Sequence, residues 1–274
     1  MEQWTGVLQL TVQRKQERTV LAEVYNQGAS KVTPPIYLDD SGLPCFYMLN
    51  LGGGYVDGDR YKTDIHLCDD AHMLLTTQSS TKIYKTLKVP VLHEMDIRLE
   101  QGSYLEFISD PLIAYRHARY KQETVVRMAR GATLVYGEII TPGWSPDGAL
   151  FQYNRLQLRT VVYIEDELVV FDNLPLTPET RSMEGLGLLE GYTHLGSLLV
   201  IGDNVPRGMA ETLGEELEAA GHLCRVGISA LAVSGFSLRV LAMSTLQIEN
   251  VFEQCRRVVR ERFLGSKTVS FRKY

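Results

Sequence analysis

The chain has 274 residues, of which 45% are hydrophobic, which is enough for one large domain or two small ones with a sizeable buried core. No linker or low-complexity tract divides the sequence, so we expect a single domain over residues 1–274. Its formal net charge of −5 argues against nucleic acid as the main partner, because phosphate contacts need clustered lysine and arginine. The first residues lack an apolar run of signal-peptide length and no window reaches about 18 apolar residues, so we expect a cytoplasmic protein without membrane contact.

Most of the chain has the pattern of short β-strands. In the clearest segment Met95, Ile97 and Leu99 alternate with charged residues, as expected for a strand with one buried face. Other strand-like segments are 6–13, 19–25, 72–78, 104–107, 124–129, 132–140, 155–164, 167–172, 197–202, 236–244 and 268–274. So many short strands predict a mainly β architecture, for which a sandwich, a barrel and a β-solenoid all remain open.

The segment LNLGGGYVDGDRYKTDIHL, residues 49–67, is rich in glycine and aspartate. Phosphate binding is disfavoured, because the Gly-Lys-Ser/Thr ending of a Walker loop is absent and the next residues resemble strand rather than helix. A divalent cation could use its aspartates and the neighbouring histidines, namely Asp57, Asp59, Asp64, His66 and His72. We favour a turn over a permanent metal site, since glycine allows positive φ and aspartate caps turns.

Two later segments have helical spacing instead. Residues 209–221 place Met209, Leu213 and Leu217 four apart, which predicts a short amphipathic helix. Residues 245–265 predict a longer helix near the C-terminus, preceded by Ser244 and Gln247 at capping-box spacing.

The longer helix has an apolar face, which includes Cys255, and an arginine-rich face. Cys255 is therefore expected in the core. The arginines are Arg256, Arg257, Arg260 and Arg262. Such a charged face is typical of a solvated helix surface, with a docking surface for an acidic partner as the alternative.

The motifs of common enzyme classes are absent, including G-x-S-x-G and H-E-x-x-H. Two interpretations of the residues stay open at this point. A β-scaffold hydrolase with paired carboxylates could use Glu106, Asp110 and Glu138 if the fold brings them together. A passive β-sandwich binding module would need an exposed aromatic platform, for which Trp4 and Trp144 are the tryptophans available.

Three ordered blocks of the sequence resemble one family. The block GGGYVDGDRYKTDIHL (52–67) resembles the glycine- and aspartate-rich block of the urease accessory protein UreD, called UreH in some organisms. TTQSSTKIYKT (76–86) is similar to the next block, a threonine-rich strand followed by a turn and Ser/Thr-Lys-Ile/Val-Tyr. LEFISDPLIAYRHARYKQET (105–124) is similar to the third. Trp144 and Ser109 stand where many members have arginine and proline.

The resemblance implies a non-enzymatic role, as a chaperone in assembling the nickel centre of urease. Proteins of this family sit between apo-urease and an F-type accessory protein, which in turn holds a G-type GTPase. The implied fold is an irregular β-helical stack of strands with two α-helices, the longer near the C-terminus. No tightly bound cofactor is implied, and Ni²⁺ would pass through an internal tunnel.

Such a tunnel needs wet, polar walls, because stripping water from Ni²⁺ in an apolar bore would cost too much free energy. Negative charges lower the energy of the cation along the path, whereas a complete ligand set would trap it. Matched block by block to the family, the implied tunnel-lining residues for transient Ni²⁺ are Asp59, Thr81, Glu138 and Asp172.

An aromatic and basic cluster follows the third block. It consists of Tyr115, Arg116, His117, Arg119 and Tyr120. Tyrosine and arginine are enriched among the residues that dominate protein–protein binding energy. The cluster therefore predicts a docking surface for a partner protein, with an ordinary exposed loop as the alternative.

Overall fold

The computed structural model describes residues 3–38, 41–206, 208–219, 221 and 223–263. Within these ranges the chain forms eighteen strands and two helices. The strand expected over residues 268–274 lies outside the described residues.

The strands are β1 (Gly6–Lys15), β2 (Arg18–Gly28), β3 (Ser30–Val32), β4 (Ile36–Tyr37), β5 (Pro44–Asn50), β6 (Arg60–Leu67), β7 (His72–Thr77), β8 (Thr81–Ile83), β9 (Val91–Leu99), β10 (Tyr104–Ile108), β11 (Leu112–Ala114), β12 (Arg119–Met128), β13 (Thr133–Ile140), β14 (Arg155–Ile164), β15 (Glu167–Leu176), β16 (His194–Gly202), β17 (Arg225–Ala230) and β18 (Gly235–Ala242). The helices are α1 (Met209–Ala219) and α2 (Thr245–Phe263).

The strands form two sheets, which the chain visits in turn. Sheet A has the order β15-β14-β12-β9-β6-β1-β2, and sheet B has the order β17-β18-β16-β13-β10-β7-β5-β3. The central strands β1, β6, β9, β12 and β14 of sheet A pair in parallel, as do β5, β7, β10 and β13 of sheet B. The result is a β-solenoid-like stack of coils, which confirms the predicted fold class and chooses among the three architectures left open.

The alternation of side chains on β9 shows how the sheets pack. Val91, Met95 and Ile97 point inwards and are buried, whereas Glu94 and Arg98 point outwards. The same period of two recurs on β6, β12 and β14. Burial of these apolar side chains between the sheets, at about 25 cal/mol per Å² of apolar surface, is the main force that holds the coils together.

The two helices lie close to the positions that their apolar spacing predicts. Met209, Leu213 and Leu217 of α1 are buried, and α1 contacts β17 and β18. Ser244 Oγ accepts the backbone N–H of Gln247 at 3.4 Å, while Gln247 Oε1 accepts that of Ser244 at 3.2 Å, so the predicted capping box forms at the start of α2. Among the described residues, no helix is long and apolar enough to cross a membrane.

Helix α2 packs on the outer face of sheet B, over β13, β16 and β18. Cys255 is fully buried there, as predicted. Glycine on the sheet allows the close approach, because a Cβ at Gly196 would lie 2.4 Å from Cγ2 of Ile248. Gly137 on β13 has the same role, since a Cβ there would lie 3.3 Å from a ring carbon of Phe252.

The solvated arginine face predicted for α2 is wrong for two of its members. Arg256 is 5% exposed and Arg260 is 0% exposed, and both bind the fully buried Glu106 of β10. Burial alone would raise the pKa of Glu106, but the charges of Arg256 and Arg260 outweigh burial and lower it. Arg257 is exposed as expected, and the side chain of Arg262 lies outside the described residues.

Candidate functional site

A layer of polar side chains crosses the space between the two sheets, over two adjacent inward levels of the successive coils. On β6, Thr63 lies between the buried apolar neighbours Tyr61 and Ile65 on the same face. Inward positions at these two levels on the other strands carry Thr77, His93, Gln122, Thr124, Glu138, Thr160, Asp172, Ser197 and Arg239. We call these ten residues, Thr63 included, the polar layer. It separates two apolar clusters of the core.

A chain of hydrogen bonds runs through the first half of the polar layer. Thr63 Oγ1 lies 3.0 Å from Nε2 of His93, and Nδ1 of His93 lies 3.3 Å from the hydroxyl of Tyr120. The Tyr120 hydroxyl donates to Oε1 of Gln122 at 2.8 Å, and Nε2 of Gln122 donates to Oε1 of Glu138. The chain therefore connects β6, β9 and β12 of sheet A to β13 of sheet B.

Glu138 is the carboxylate at the centre of the polar layer. Its Oε1 also accepts the hydroxyl of Tyr136 at 2.8 Å. Burial raises the pKa of Glu138, while the hydrogen bonds from Tyr136 and Gln122 oppose that rise. Both donors reach the same oxygen, so Oε1 of Glu138 is an acceptor in this network.

The far end of the polar layer is an ion pair that reaches solvent. Arg239 of β18 donates to Asp172 of β15 at 2.5 Å and also to Ser197 of β16. The two charged side chains are 39% and 38% exposed. Asp172 also interacts electrostatically with Glu138, because its negative charge raises the pKa of Glu138. The polar layer thus extends from the buried Thr63 to a half-exposed pair at the opposite end of the sheets.

Two adjoining cavities follow the polar layer inwards. The outer cavity has a volume of about 170 Å³ and is bordered by Gln78 of the loop between β7 and β8 and by Lys82 of β8. The inner cavity has a volume of about 50 Å³ and is bordered by Asp110 and Glu138. Five residues line both cavities and form the waist between them: Met48, Tyr55, Thr77, Thr81 and His93.

Three of the four residues implied as tunnel-lining belong to this region. Thr81 lies in the waist, Glu138 borders the inner cavity, and Asp172 ends the polar layer. Asp59 does not border either cavity. Its carboxylate accepts the backbone N–H of Val56 at 2.8 Å and the hydroxyl of Tyr61, a wall of the outer cavity, at 3.2 Å. Asp59 therefore caps its turn and orients a wall residue.

The other acidic and imidazole groups of the glycine-rich segment do not converge. Asp57 accepts the backbone N–H groups of Lys88 and Val89, whereas Asp64 lies on the outer face of β6 beside Gln9. Across the described ranges, no group of three or more histidine, cysteine, aspartate or glutamate residues is placed to hold a metal ion. The contacts of Asp57 and Asp59 fit the turn interpretation.

The predicted docking cluster divides into surface and interior parts. Tyr115 packs on the half-exposed ring of Trp144 with 4.8 Å between ring centroids and also on Tyr84 at 4.8 Å, and the exposed His117 lies in the same loop. Arg116 pairs with Asp147. Arg119 turns back to the backbone oxygen of Thr86. The prediction that Tyr120 belongs to the docking surface is wrong, because its ring is buried and its hydroxyl belongs to the hydrogen-bond chain.

Comparison with known proteins identifies the family to which the chain belongs. A family model described as UreD urease accessory protein matches residues 5–273. The chain belongs to the UreD family of urease accessory proteins. It is similar to "Urease accessory protein UreD" of Lachnoclostridium phytofermentans, at 43% identity over all of both chains. It is also similar to the protein of that name from Bacillus sp. strain TB-90, at 42% identity over 98% of this chain and 99% of the relative.

The geometry of this UreD family member counts against the paired-carboxylate hydrolase. Glu106 is the register neighbour of Val135 and faces α2, whereas Glu138, three positions further along β13, faces sheet A. The two acids therefore lie on opposite faces of sheet B. Asp110 and Glu138 do share the inner cavity, but about 50 Å³ holds only one or two water molecules. The relatives are likewise named accessory proteins and not enzymes.

The sequence analysis missed several residues of the polar layer, of which His93 and Gln122 are the most informative. The alternation of the strands could have predicted their burial. His93 lies on the same strand face as the apolar Val91 and Met95, and Gln122 lies on the same face as Tyr120. Period two alone places both polar side chains inside. The hydrogen bond from Gln122 to Glu138 joins two different sheets and cannot be predicted from the residues around either one.

Proposed function

We propose that this protein is a scaffold in the maturation of apo-urease, and that Ni²⁺ crosses it through the polar layer. In this role it bridges urease to the F-type accessory protein and, through that protein, to the G-type GTPase, in the cytoplasm and without catalysing a reaction. Membership of the urease accessory protein family supports the assignment to urease maturation. The path itself is supported by the order of cavities and carboxylates between the sheets.

The observation that carries the path is the position of Glu138. It is the carboxylate that borders the inner cavity and also interacts with Asp172 at the solvent-exposed end of the polar layer. Thr81 and His93 lie in the waist that leads to it. Carboxylate, hydroxyl, imidazole and water are ligands that Ni²⁺ accepts, so each step along the layer offers the cation a polar neighbour.

The same geometry suits transit better than storage. A permanent site for a divalent cation converges several strong ligands on one point, and the described residues hold no such cluster. Single ligands in succession lower the energy of the cation without trapping it. No tightly bound cofactor is therefore proposed, and nickel is the cargo of the scaffold.

The partner surfaces are assigned by exposure. The exposed Trp144 packs on the partly buried Tyr115 beside Arg116 and His117, and nearby loops carry exposed apolar residues such as Leu87. Exposed aromatic and cationic groups of this kind are common among residues that dominate binding energy. We assign this surface to docking of a maturation partner.

The test of the path is Glu138→Gln in the complex of this protein with its F-type and G-type partners and apo-urease. The substitution keeps the shape of the side chain and removes its charge, so nickel incorporation into urease should fall by about tenfold or more while co-purification of the partners is unchanged. Glu94→Gln, on the outer face of β9, is the matched control. Normal nickel incorporation with Glu138→Gln would disprove the path, and failure of all partners to co-purify with the wild-type protein would disprove the scaffold.

A further inference from the structure

His93 occupies the waist of the proposed path and is the histidine that borders both cavities. It is 6% exposed, and its ring is held between two hydroxyl groups. Its Nε2 faces Thr63, which lines the outer cavity. Its Nδ1 faces Tyr120, which lines the inner cavity. The ring therefore spans the boundary that any ion in transit must cross.

The hydrogen-bond chain fixes which ring nitrogen carries the proton. Gln122 donates through Nε2 to Oε1 of Glu138, and its carbonyl oxygen therefore faces Tyr120. The Tyr120 hydroxyl donates to that oxygen, so it can only accept from His93. Nδ1 of His93 is thus the donor, and Nε2 keeps its lone pair.

The lone pair on Nε2 is covered by a single group, the hydroxyl of Thr63 at 3.0 Å. A threonine hydroxyl can rotate and bond elsewhere, so exchanging this hydrogen bond for a bond to a cation leaves no buried ring nitrogen without a partner. Histidines that bind metals usually donate their other ring N–H to an acceptor that orients the ring and makes the free nitrogen more basic. Tyr120, polarised through Gln122 by Glu138, supplies that acceptor.

We propose that Nε2 of His93 is a transient nitrogen ligand for Ni²⁺ at the waist between the two cavities, and that it precedes or follows the carboxylate of Glu138 along the path. Burial lowers the pKa of His93 to about 4, so the ring is neutral at neutral pH and does not repel a cation. An imidazole beside hydroxyl groups favours a borderline ion such as Ni²⁺ over the hard Mg²⁺. This inference deepens the proposed nickel path and rests on it.

The experiment is a titration of the wild-type protein, labelled with ¹⁵N in the histidine rings, with Ni²⁺ alone. The His93 signals are assigned by their absence from the spectrum of His93→Gln. Paramagnetic Ni²⁺ at less than one equivalent should broaden the His93 signals until they are lost, and an equal concentration of Mg²⁺ should leave them sharp. His93 signals that stay sharp at one equivalent of Ni²⁺, while those of His66 or His117 broaden, would overturn the proposal.

A matched pair of variants measures the consequence in the assembled complex. His194 on β16 is also partly buried, has a pKa lowered by burial and bonds to a hydroxyl, that of Thr193 at 2.8 Å. His93→Gln should slow nickel incorporation into urease, whereas His194→Gln should not, with the same partners co-purified. If His93→Gln incorporates nickel at the normal rate while Glu138→Gln is slow, the role of His93 is wrong and the path stands. If neither variant is slow, the path itself is wrong.

Discussion

Glu106 and Arg260 are 154 positions apart in the chain, and Nε of the arginine donates to Oε2 of the carboxylate at 2.6 Å with both side chains fully buried. Arg256 donates to the other oxygen of the same carboxylate, and the Tyr104 hydroxyl donates to Oε2 at 3.0 Å. These contacts tie the end of α2 to the centre of sheet B. They hold the helix to the face of sheet B opposite to the polar layer.

Neutralising Glu106 should destabilise the protein strongly. Glu106→Gln removes the buried negative charge that Arg256 and Arg260 share, and removing one member of a buried ion pair costs about 3–5 kcal/mol. Chemical denaturation of the purified protein measures the change in the free energy of unfolding. Glu253→Gln removes the half-exposed second partner of Arg256 and should change that energy by less than about 1 kcal/mol. Equal stability of the two variants would contradict the role given to Glu106.

Filling the waist should block nickel without disturbing the partners. Thr81→Trp places a bulky ring where the two cavities meet, and we expect nickel incorporation into urease to fall by about tenfold or more. Thr81→Ser keeps the hydroxyl and the space and should behave as wild type. The metal content of the purified urease gives the result. A Thr81→Trp complex that assembles and loads nickel normally would show that the ion does not pass the waist.

His93 should make the stability of the protein depend on pH. Its pKa is about 4 in the folded protein against an ordinary value of 6.5, because burial disfavours the charged ring. Between these two values the unfolded chain binds a proton that the folded chain does not, so the free energy of unfolding falls as the pH drops through this window. From pH 7 to pH 5 the loss due to His93 is about 2 kcal/mol.

Urea denaturation of wild type and His93→Gln at both pH values isolates this contribution. The variant lacks the titrating ring and should lose less stability between pH 7 and pH 5 than wild type, by the same amount. His194→Gln serves as the control for a less buried histidine. Identical pH dependence in wild type and His93→Gln would mean that the ring is not kept neutral by burial.

Trp144 should contribute strongly to partner binding. It is 50% exposed and packs on Tyr115. Truncating an aromatic residue at the centre of an interface costs about 2 kcal/mol or more, which is roughly a thirtyfold loss of affinity. Binding of Trp144→Ala to the F-type protein and to apo-urease can be measured separately. Phe171→Ala, at a 62% exposed aromatic on β15, is the control, and unchanged affinity for both partners would remove this surface from consideration.

Local sequence patterns predicted the regular elements well and the long-range pairs poorly. The alternation around Ile97 and the four-residue spacing around Leu213 each report the buried face of one element, so both were readable. Strands β8 and β11 have three residues each, too few to show a period. They form because strands of neighbouring coils supply their hydrogen bonds, as β11 does for β8. The few residues of each strand do not show which distant strand it will pair with.

Charged residues in the interior were the main source of error. Arg260 was assigned to the solvated face of α2, and the carboxylate of Glu106, far away in the chain, makes its burial favourable. Tyr120 was assigned to the surface with its basic neighbours, although the alternation of β12 turns it inwards. Of the site, Thr81, Glu138 and Asp172 came from the family resemblance, while the hydrogen-bond chain that joins Glu138 to His93 needed the fold.

The parallel pairing of β6, β9, β12 and β14 has a consequence for synthesis of the protein. Two paired strands of sheet A are separated in sequence by one or two strands of sheet B. The chain therefore loses the entropy of closing a long loop before the stabilising contacts form, and such topologies fold slowly. Until the next coil docks, the last strand of a nascent chain exposes unpaired backbone N–H and C=O groups and an apolar surface to other chains. Slow translation at low temperature should therefore improve the yield of soluble protein, because fewer incompletely folded chains meet and aggregate before the next coil covers their exposed edge.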